Sequence, residues 1–426
     1  MKTTVLREGV NYSFIKTERF KTTVISVGFY LPLGNLNAAT SLASALMKSG
    51  TKALPDLYSF NRKLASLYGA GVSSWTAKQG DTKEIRINIT VNDDRYSLFG
   101  ENTVDEAGAL FCDMIFSRFK DGSVYPDFAV DREKRLLSEK IASKLNDKRT
   151  YARNRLEELM CEGEPFGNSP DGTKNEAEQL SATDAAAAFC ELIETSFISV
   201  LVIGDKEPLG FADTFSTEIS NINRRYTPFK SDICKTARDN VLSVDEEMPV
   251  KQGKLVLGLR SENGGSDRDT LGVRVMTDIF GGGPYSKLFC NVREKMSLCY
   301  YCSARAIRSK GLIIIDSGVE EANMASAMTA ILEQFEEMKN GNFTETEFKS
   351  SKLALCDMIN SAESDQATLV RWYAARAMEQ NPLSPADTCS LIESITREEI
   401  IEAAKGFNLD TVYRLMPDGS VKEDAQ

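Results

Sequence analysis

Two side chains seven positions apart, Arg293 and Tyr300, carry the clearest chemistry in the sequence, because they follow the glycine run Gly281, Gly282, Gly283 in LGVRVMTDIFGGGPYSKLFCNVREKMSLCYY. Arginine is a permanent cation with a planar fork of donors, and a tyrosine hydroxyl can donate one hydrogen bond. Side by side, the two can hold a carbonyl oxygen as it gains charge. Cys299 and Cys302 form a single C-x-x-C, CYYC. A structural zinc would need a second such pair, and a thioredoxin-like site would put the motif at a helix N-terminus rather than on a predicted strand. There is no histidine in the chain. Imidazole is the usual ligand of catalytic zinc, the usual base of a nucleophilic triad and the usual proton shuttle, so none of these is available in its common form.

The elements that would position the pair can be read from apolar spacing. Leu271, Val273, Val275, Met276, Ile279 and Phe280 predict a buried helix stopped by Gly281 as a C′ residue. Leu288, Phe289 and Val292 predict a second, short helix after Pro284, with Arg293 near its end and Tyr300 starting a strand. The same pattern occurs earlier. A shift of 231 residues lays 254–266 (KLVLGLRSENGGS) over 21–35 (KTTVISVGFYLPLGN), the helix 269–280 over 38–49, and Gly281 over Gly50. Arg62, Ser66 and Leu67 fall on Arg293, Ser297 and Leu298, and strands 85–91 and 312–319 come close to the same shift.

Each half then has a long helix ending in a turn (KDGSVYPDF, 120–128; KNGNFTETEF, 339–348) and a second long helix (131–144; 347–360). A third helix follows (151–161; 367–379), then a helix after a capping signal (181–192; 396–405) and a final strand (197–203; 411–415). The fold class predicted is α+β, with two homologous duplicated domains, each a mixed or antiparallel sheet with helices packed on one face. Residues 1–218 form the N-terminal domain and 251–426 the C-terminal domain, joined by a polar, irregular linker over 219–250.

Composition narrows the partners. The 426 residues are 42% hydrophobic and 27% charged, as in a soluble globular protein, with a net charge of −11 and no long basic run. A nucleic-acid partner is disfavoured. The start, MKTTVLREGVNYSF, has no apolar signal region, and no uncharged 18-residue run is present. The expectation is no membrane partner and a cytoplasmic location. Nine cysteines scattered through apolar segments read as reduced thiols.

The sequence GGG followed by LFxxVREKxxLxY resembles the C-terminal half of the pitrilysin/insulinase family of zinc metallopeptidases, and the resemblance covers essentially the whole chain. It implies that Arg293 and Tyr300 position substrate and stabilise a tetrahedral intermediate, with Gly281, Gly282 and Gly283 as a loop near substrate. In active members a first-half helix carries H-x-x-E-H, two histidines on one face holding zinc and a glutamate polarising water. The corresponding stretch here is Ser41-Leu42-Ala43-Ser44-Ala45 before Gly50-Thr51. Ser41 and Ala45 stand at the ligand positions and Ser44 at the base. As nucleophiles the serines lack a base, and serine in a helix commonly bonds a preceding carbonyl instead.

The family's third ligand, a glutamate on a later helix, falls on Lys140 in DREKRLLSEKIA, or on Glu139 with a slip of one, and Glu133 matches an accompanying glutamate. The resemblance therefore implies a chain with no metal of its own. Such a chain would be the non-catalytic half of a clamshell heterodimer, donating Arg293 and Tyr300 to a homologous HxxEH-bearing subunit that carries the zinc and acts on peptides. The alternative is a catalytically inactive structural or peptide-binding protein of the same fold.

Overall fold

A computed structural model describes residues 2–34, 36–121, 125–228, 232, 234–261, 267–379 and 382–420. The sequence-predicted turn at 122–124 and the end of the 254–266 segment lie outside the described residues. Among the described residues eleven strands are interspersed with helices: β1 Lys2–Arg7, β2 Val10–Lys16, β3 Thr22–Pro32, β4 Gly71–Gln79, β5 Thr82–Asn92, β6 Phe197–Gly204, β7 Leu242–Met248, β8 Gly253–Arg260, β9 Tyr301–Ile307, β10 Leu312–Val319 and β11 Asn408–Pro417. The helices that matter most in the first half of the chain are α1 Asn37–Met47, α2 Leu57–Ser66, α3 Thr103–Asp121, α4 Asp127–Ser143 and α5 Lys148–Met160.

The duplication is visible in the sheets. One has the order β1-β2-β6-β3-β5-β4 and the other β7-β11-β8-β10-β9. Apart from the extra edge strand β1, each repeats one scheme. An edge-side strand runs parallel to the last strand of its half (β2 to β6, β7 to β11), and the remaining pairs are antiparallel. β7 occupies part of the 219–250 segment, which is therefore not irregular throughout. Its sequence LSVDEEM alternates half-buried and exposed residues, as a one-sided strand does.

The chain folds as two compact units, and they are interleaved in sequence. The first comprises residues 1–142, 168–230 and 362–382, and the second 143–167, 231–361 and 383–426. Relative to contiguous spans, the third helix of each half has changed places. The reason lies in the second face of each sheet. On β3, Ile25, Val27, Phe29 and Leu31 point into the large helix-covered core of the first unit, while Val24 faces the other way. There Val24, Leu201 and Ile203 pack on Leu369 and Val370 of the helix Gln366–Ala374. In the second unit, Val256, Ile314, Tyr413 and Leu415 pack on Ala152 and Leu156 of α5. A Cβ on Gly258 would lie 2.5 Å from Met160 Sδ, so glycine is what lets α5 approach. Helices thus cover both faces of each sheet, correcting the one-face expectation, because these strands are apolar on both sides.

The face of the first sheet toward Gln366–Ala374 also buries charge. Arg86 lies across β3 at 0% exposure, pairing with Glu84 at 2.6 Å and donating to Ser26 Oγ at 2.9 Å and to the Tyr30 hydroxyl at 2.5 Å. A side chain at Gly28 would sit 2.3 Å from the guanidinium. Tyr30 in turn donates to the Ala374 carbonyl at 2.7 Å, tying the exchanged helix to the sheet. The capping signals after 181 and 396 are reciprocal boxes, Ser181 with Asp184 and Thr396 with Glu399.

Candidate functional site

The two corners singled out by the sequence are built differently. In the first unit, Ser41 and Ser44 lie buried on α1, and the Ser44 hydroxyl donates to the Ser41 carbonyl at 2.9 Å. Sequence reasoning missed the residue that fills this corner. Lys83, at the start of β5 and 1% exposed, donates from Nζ to the Asn37 carbonyl at 2.6 Å, Thr40 Oγ1 at 2.7 Å and Ser41 Oγ at 2.9 Å. An ammonium has three donors, and each meets an acceptor, which is what allows a lysine to be buried here. Read from the alternation of TKEIRINITV, Lys83 looks like an ordinary strand residue, and its main partner is a carbonyl that no motif reveals.

Lys140 of α4 pairs with the buried Asp171 at 2.9 Å, and Ser41 Oγ reaches Asp171 Oδ1 at 3.4 Å. Glu133 accepts from Ser49 at 3.0 Å and pairs with Arg132 at 2.9 Å. Lys48 has its pKa pushed down by burial, with Glu133 opposing and Lys140 adding to the shift. Ala45, the second ligand position, has no atom that can bind a metal. The donor set required for zinc is therefore replaced by ammonium groups, and a divalent cation would be repelled where Lys83 stands. Among the described residues no group of three histidine, cysteine, aspartate or glutamate side chains is placed to hold a metal. Ser41 and Lys83 have the spacing of a hydroxyl–amine dyad. However, the amine donates to a carbonyl and both groups are buried, so substrate has no approach to them.

In the second unit, the helix Asp267–Gly281 runs into the glycines. None of Gly281, Gly282 and Gly283 has positive φ, so the expected left-handed C′ residue is not what they provide. They provide room. A Cβ on Gly281 would meet Ala304 N at 2.7 Å, and one on Gly282 would meet Asp278 Oδ1 at 2.1 Å. A Cβ on Gly283 would lie 2.9 Å from the Tyr285 ring. Asp278 Oδ2 accepts from Tyr285 at 2.7 Å and from Ser351 at 2.5 Å, and burial raises its pKa.

The predicted short helix is a π-helix, Leu288–Lys295, buried through Leu288 and Val292. Its wide turn is closed by Met296 N to Asn291 O at 2.9 Å, and Ser297 then takes the left-handed conformation at φ 53°. π-Turns concentrate at functional sites because they re-aim a side chain within a helix. Here Arg293 Nε donates to the Tyr300 carbonyl at 2.9 Å, so the pair read from sequence is in direct contact. The guanidinium also pairs with Glu294 at 3.1 Å and lies 4.6 Å from the centre of the Phe289 ring. Tyr300 precedes β9, is 61% exposed, and donates to Glu320 Oε1 at 2.8 Å. The contact between the two is therefore through the backbone of Tyr300, with the Arg293 guanidinium and the Tyr300 hydroxyl each also engaged by a carboxylate near the surface.

A duplicated α+β scaffold with a buried lysine against the helix that carries Ser41, Ser44 and Ala45 is the class that fold and geometry define. Comparisons agree. The family described as Peptidase M16 inactive domain matches residues 180–355. The chain is 28% identical over 408 residues to the "Probable inactive metalloprotease YmfF" of Bacillus subtilis (strain 168), covering 96% of each. A crystal structure of a conserved protein from Enterococcus faecalis V583 superposes with a TM-score of 0.88 at 25% identity, covering 99% of both chains. That of the peptidase M16 inactive domain from Pseudomonas fluorescens does so with 0.78 at 16% identity, again over 99% of both. The chain is thus similar to inactive members of the M16 peptidase family.

Proposed function

We propose that this chain is the non-catalytic subunit of a heterodimeric zinc metallopeptidase. Arg293 and Tyr300 would serve, across the subunit interface, a site whose zinc belongs to a homologous HxxEH-bearing partner and whose substrates are peptides. The observation that supports this reading is the contrast between the corners: Ser41, at one ligand position, is bonded by the buried Lys83, while Arg293, on a π-turn, bonds the Tyr300 carbonyl near the surface. Nine free thiols and the absence, among the described residues, of a helix long and apolar enough to cross a membrane fit work in a reducing cytoplasm. The test is reconstitution. The isolated chain should carry no stoichiometric zinc by elemental analysis and cleave no peptide, whereas the mixture with its partner should cleave. Arg293→Ala should lower turnover of the mixture by about 10²-fold without loosening the complex. Unchanged turnover would remove the catalytic role.

One observation favours a second reading, an inactive structural or peptide-binding protein. The Tyr300 hydroxyl is already engaged by Glu320, and Arg293 by Glu294. On that reading Glu320→Ala leaves turnover of the mixture untouched, whereas on the first it frees Tyr300 and raises turnover.

A further inference from the structure

The first sheet keeps an opening that neither reading uses. The helix Gln366–Ala374 packs on Val24, Leu201 and Ile203 of β3 and β6, and toward the edge strand β4 the same face is left with a cavity of about 580 Å³. That lies within the roughly 300–1,000 Å³ of small-ligand sites. Strand pairing sets its floor: Ser73 of β4 lies opposite Asn88 of β5, and Thr90 opposite Val24 of β3. Asn88 is 4% exposed, and its Nδ2 donates to Ser73 Oγ at 3.3 Å, while the buried Oδ1 has no partner. An unbonded buried carbonyl oxygen costs about 1–3 kcal/mol, and the broad terminal amide torsion lets it turn to an incoming donor.

The rim is positively charged, in a chain whose net charge is −11. Lys21 and Arg371 are exposed there, and among the described residues neither is ion-paired. The Arg371 guanidinium lies 5.6 Å from the centre of the Trp75 ring, a stacking that holds its fork of donors in place. Arg19 is paired with Glu363 at 2.8 Å. Asp365, a carboxylate on the wall, is committed to its helix, accepting from Thr368 N at 2.7 Å and Thr368 Oγ1 at 2.5 Å. We infer that this cavity binds the free carboxyl end of a peptide. The terminal carboxylate takes the Arg371 fork with Lys21 beside it, and the last side chain, an apolar one, lies on Trp75, Val24 and Val370. The N–H of the last residue donates to Asn88 Oδ1. An anion, an apolar group and an N–H on neighbouring atoms satisfy all three features at once, whereas phosphate lacks two of them and a simple carboxylic acid lacks the N–H.

Binding here is independent of any service to a partner's zinc, and its test uses the full chain alone and reads fluorescence rather than peptidase activity. The chain has two tryptophans, so in a Trp372→Phe background the emission reports Trp75. It should change saturably with N-acetylglycyl-leucine. The carboxamide of the same dipeptide should bind at least about tenfold more weakly, and Arg371→Gln should weaken the acid by about the same factor. Asn88→Ser should weaken the dipeptide acid and leave isocaproate, which has no N–H, unchanged. Arg371 is exposed, so its variant keeps the fold and decides the matter even if the buried Asn88 variant does not. No saturable response, equal binding of acid and carboxamide, or a response untouched by Arg371→Gln would overturn the inference.

Discussion

The first half of the chain presents the corner at Ser41 closed, and the second half presents the corner at Arg293 open. Lys83 seals α1 at 1% exposure, whereas Tyr300 is 61% exposed beside Arg293. The corner that the resemblance assigns to a metal is thus packed without a void at Ser41. Ser41, Ser44 and Ala45 stand at the positions the resemblance gives to the ligands and the base, and a lysine from β5 donates to Ser41. A buried ammonium stabilises only because all three of its donors are met, so the closed corner has become part of the packing. The open corner keeps its polar groups within reach of solvent.

The sharpest way to break that contrast is Lys83→Ala. It strands the Asn37 carbonyl and the Thr40 and Ser41 hydroxyls, and should cost about 3 kcal/mol in urea unfolding. With Lys83 in place, the double substitution Ser41→His and Ala45→His should still bind no stoichiometric zinc by elemental analysis. Equimolar zinc would show that the ammonium does not guard the site. In the open corner, Gly282→Ala drives a methyl against the Asp278 carboxylate at 2.1 Å and should cost about 2 kcal/mol.

A smaller effect follows from Asp278, whose folded pKa is raised by burial. A raised acid favours folding below its unfolded value and loses that contribution as pH rises through the folded one. Asp278→Asn should therefore raise the melting temperature at pH 7, with the gain shrinking as pH falls toward about 4. Asparagine Oδ1 can accept both bonds that now go to the single oxygen Oδ2, from Tyr285 and Ser351. Smallest of all, Arg293→Ala should change stability by no more than about 0.5 kcal/mol, since its contacts are at the surface. A large loss there would make Arg293 a packing residue and erase the distinction between the corners.

Much of this was legible beforehand. The repeat with its strands and capped helices follows from spacing and residue type. The partner sheet of α5 and of Gln366–Ala374 was not. Periodicity says that a helix has an apolar face, and nothing in Ala152, Leu156, Leu369 or Val370 says which sheet receives it. β7 was hidden because its outward positions, Ser243, Asp245 and Glu247, are polar and Glu246 interrupts the inward face, so it read as polar linker. The π-turn was hidden because Leu288 and Val292 are four apart, as in an ordinary helix, and the extra residue per turn leaves no mark in composition.

The exchanged helices also constrain the order in which the protein can be completed. Tyr30 bonds to Ala374, and Thr22 to Gln366, across 344 residues of chain. During vectorial synthesis the first sheet must wait, with Val24, Leu201 and Ile203 bare on one face, until nearly the whole polypeptide has left the ribosome. A gene split at the midpoint would yield an amino-terminal product that is sticky rather than folded, rescued only when the distant segment is supplied in trans.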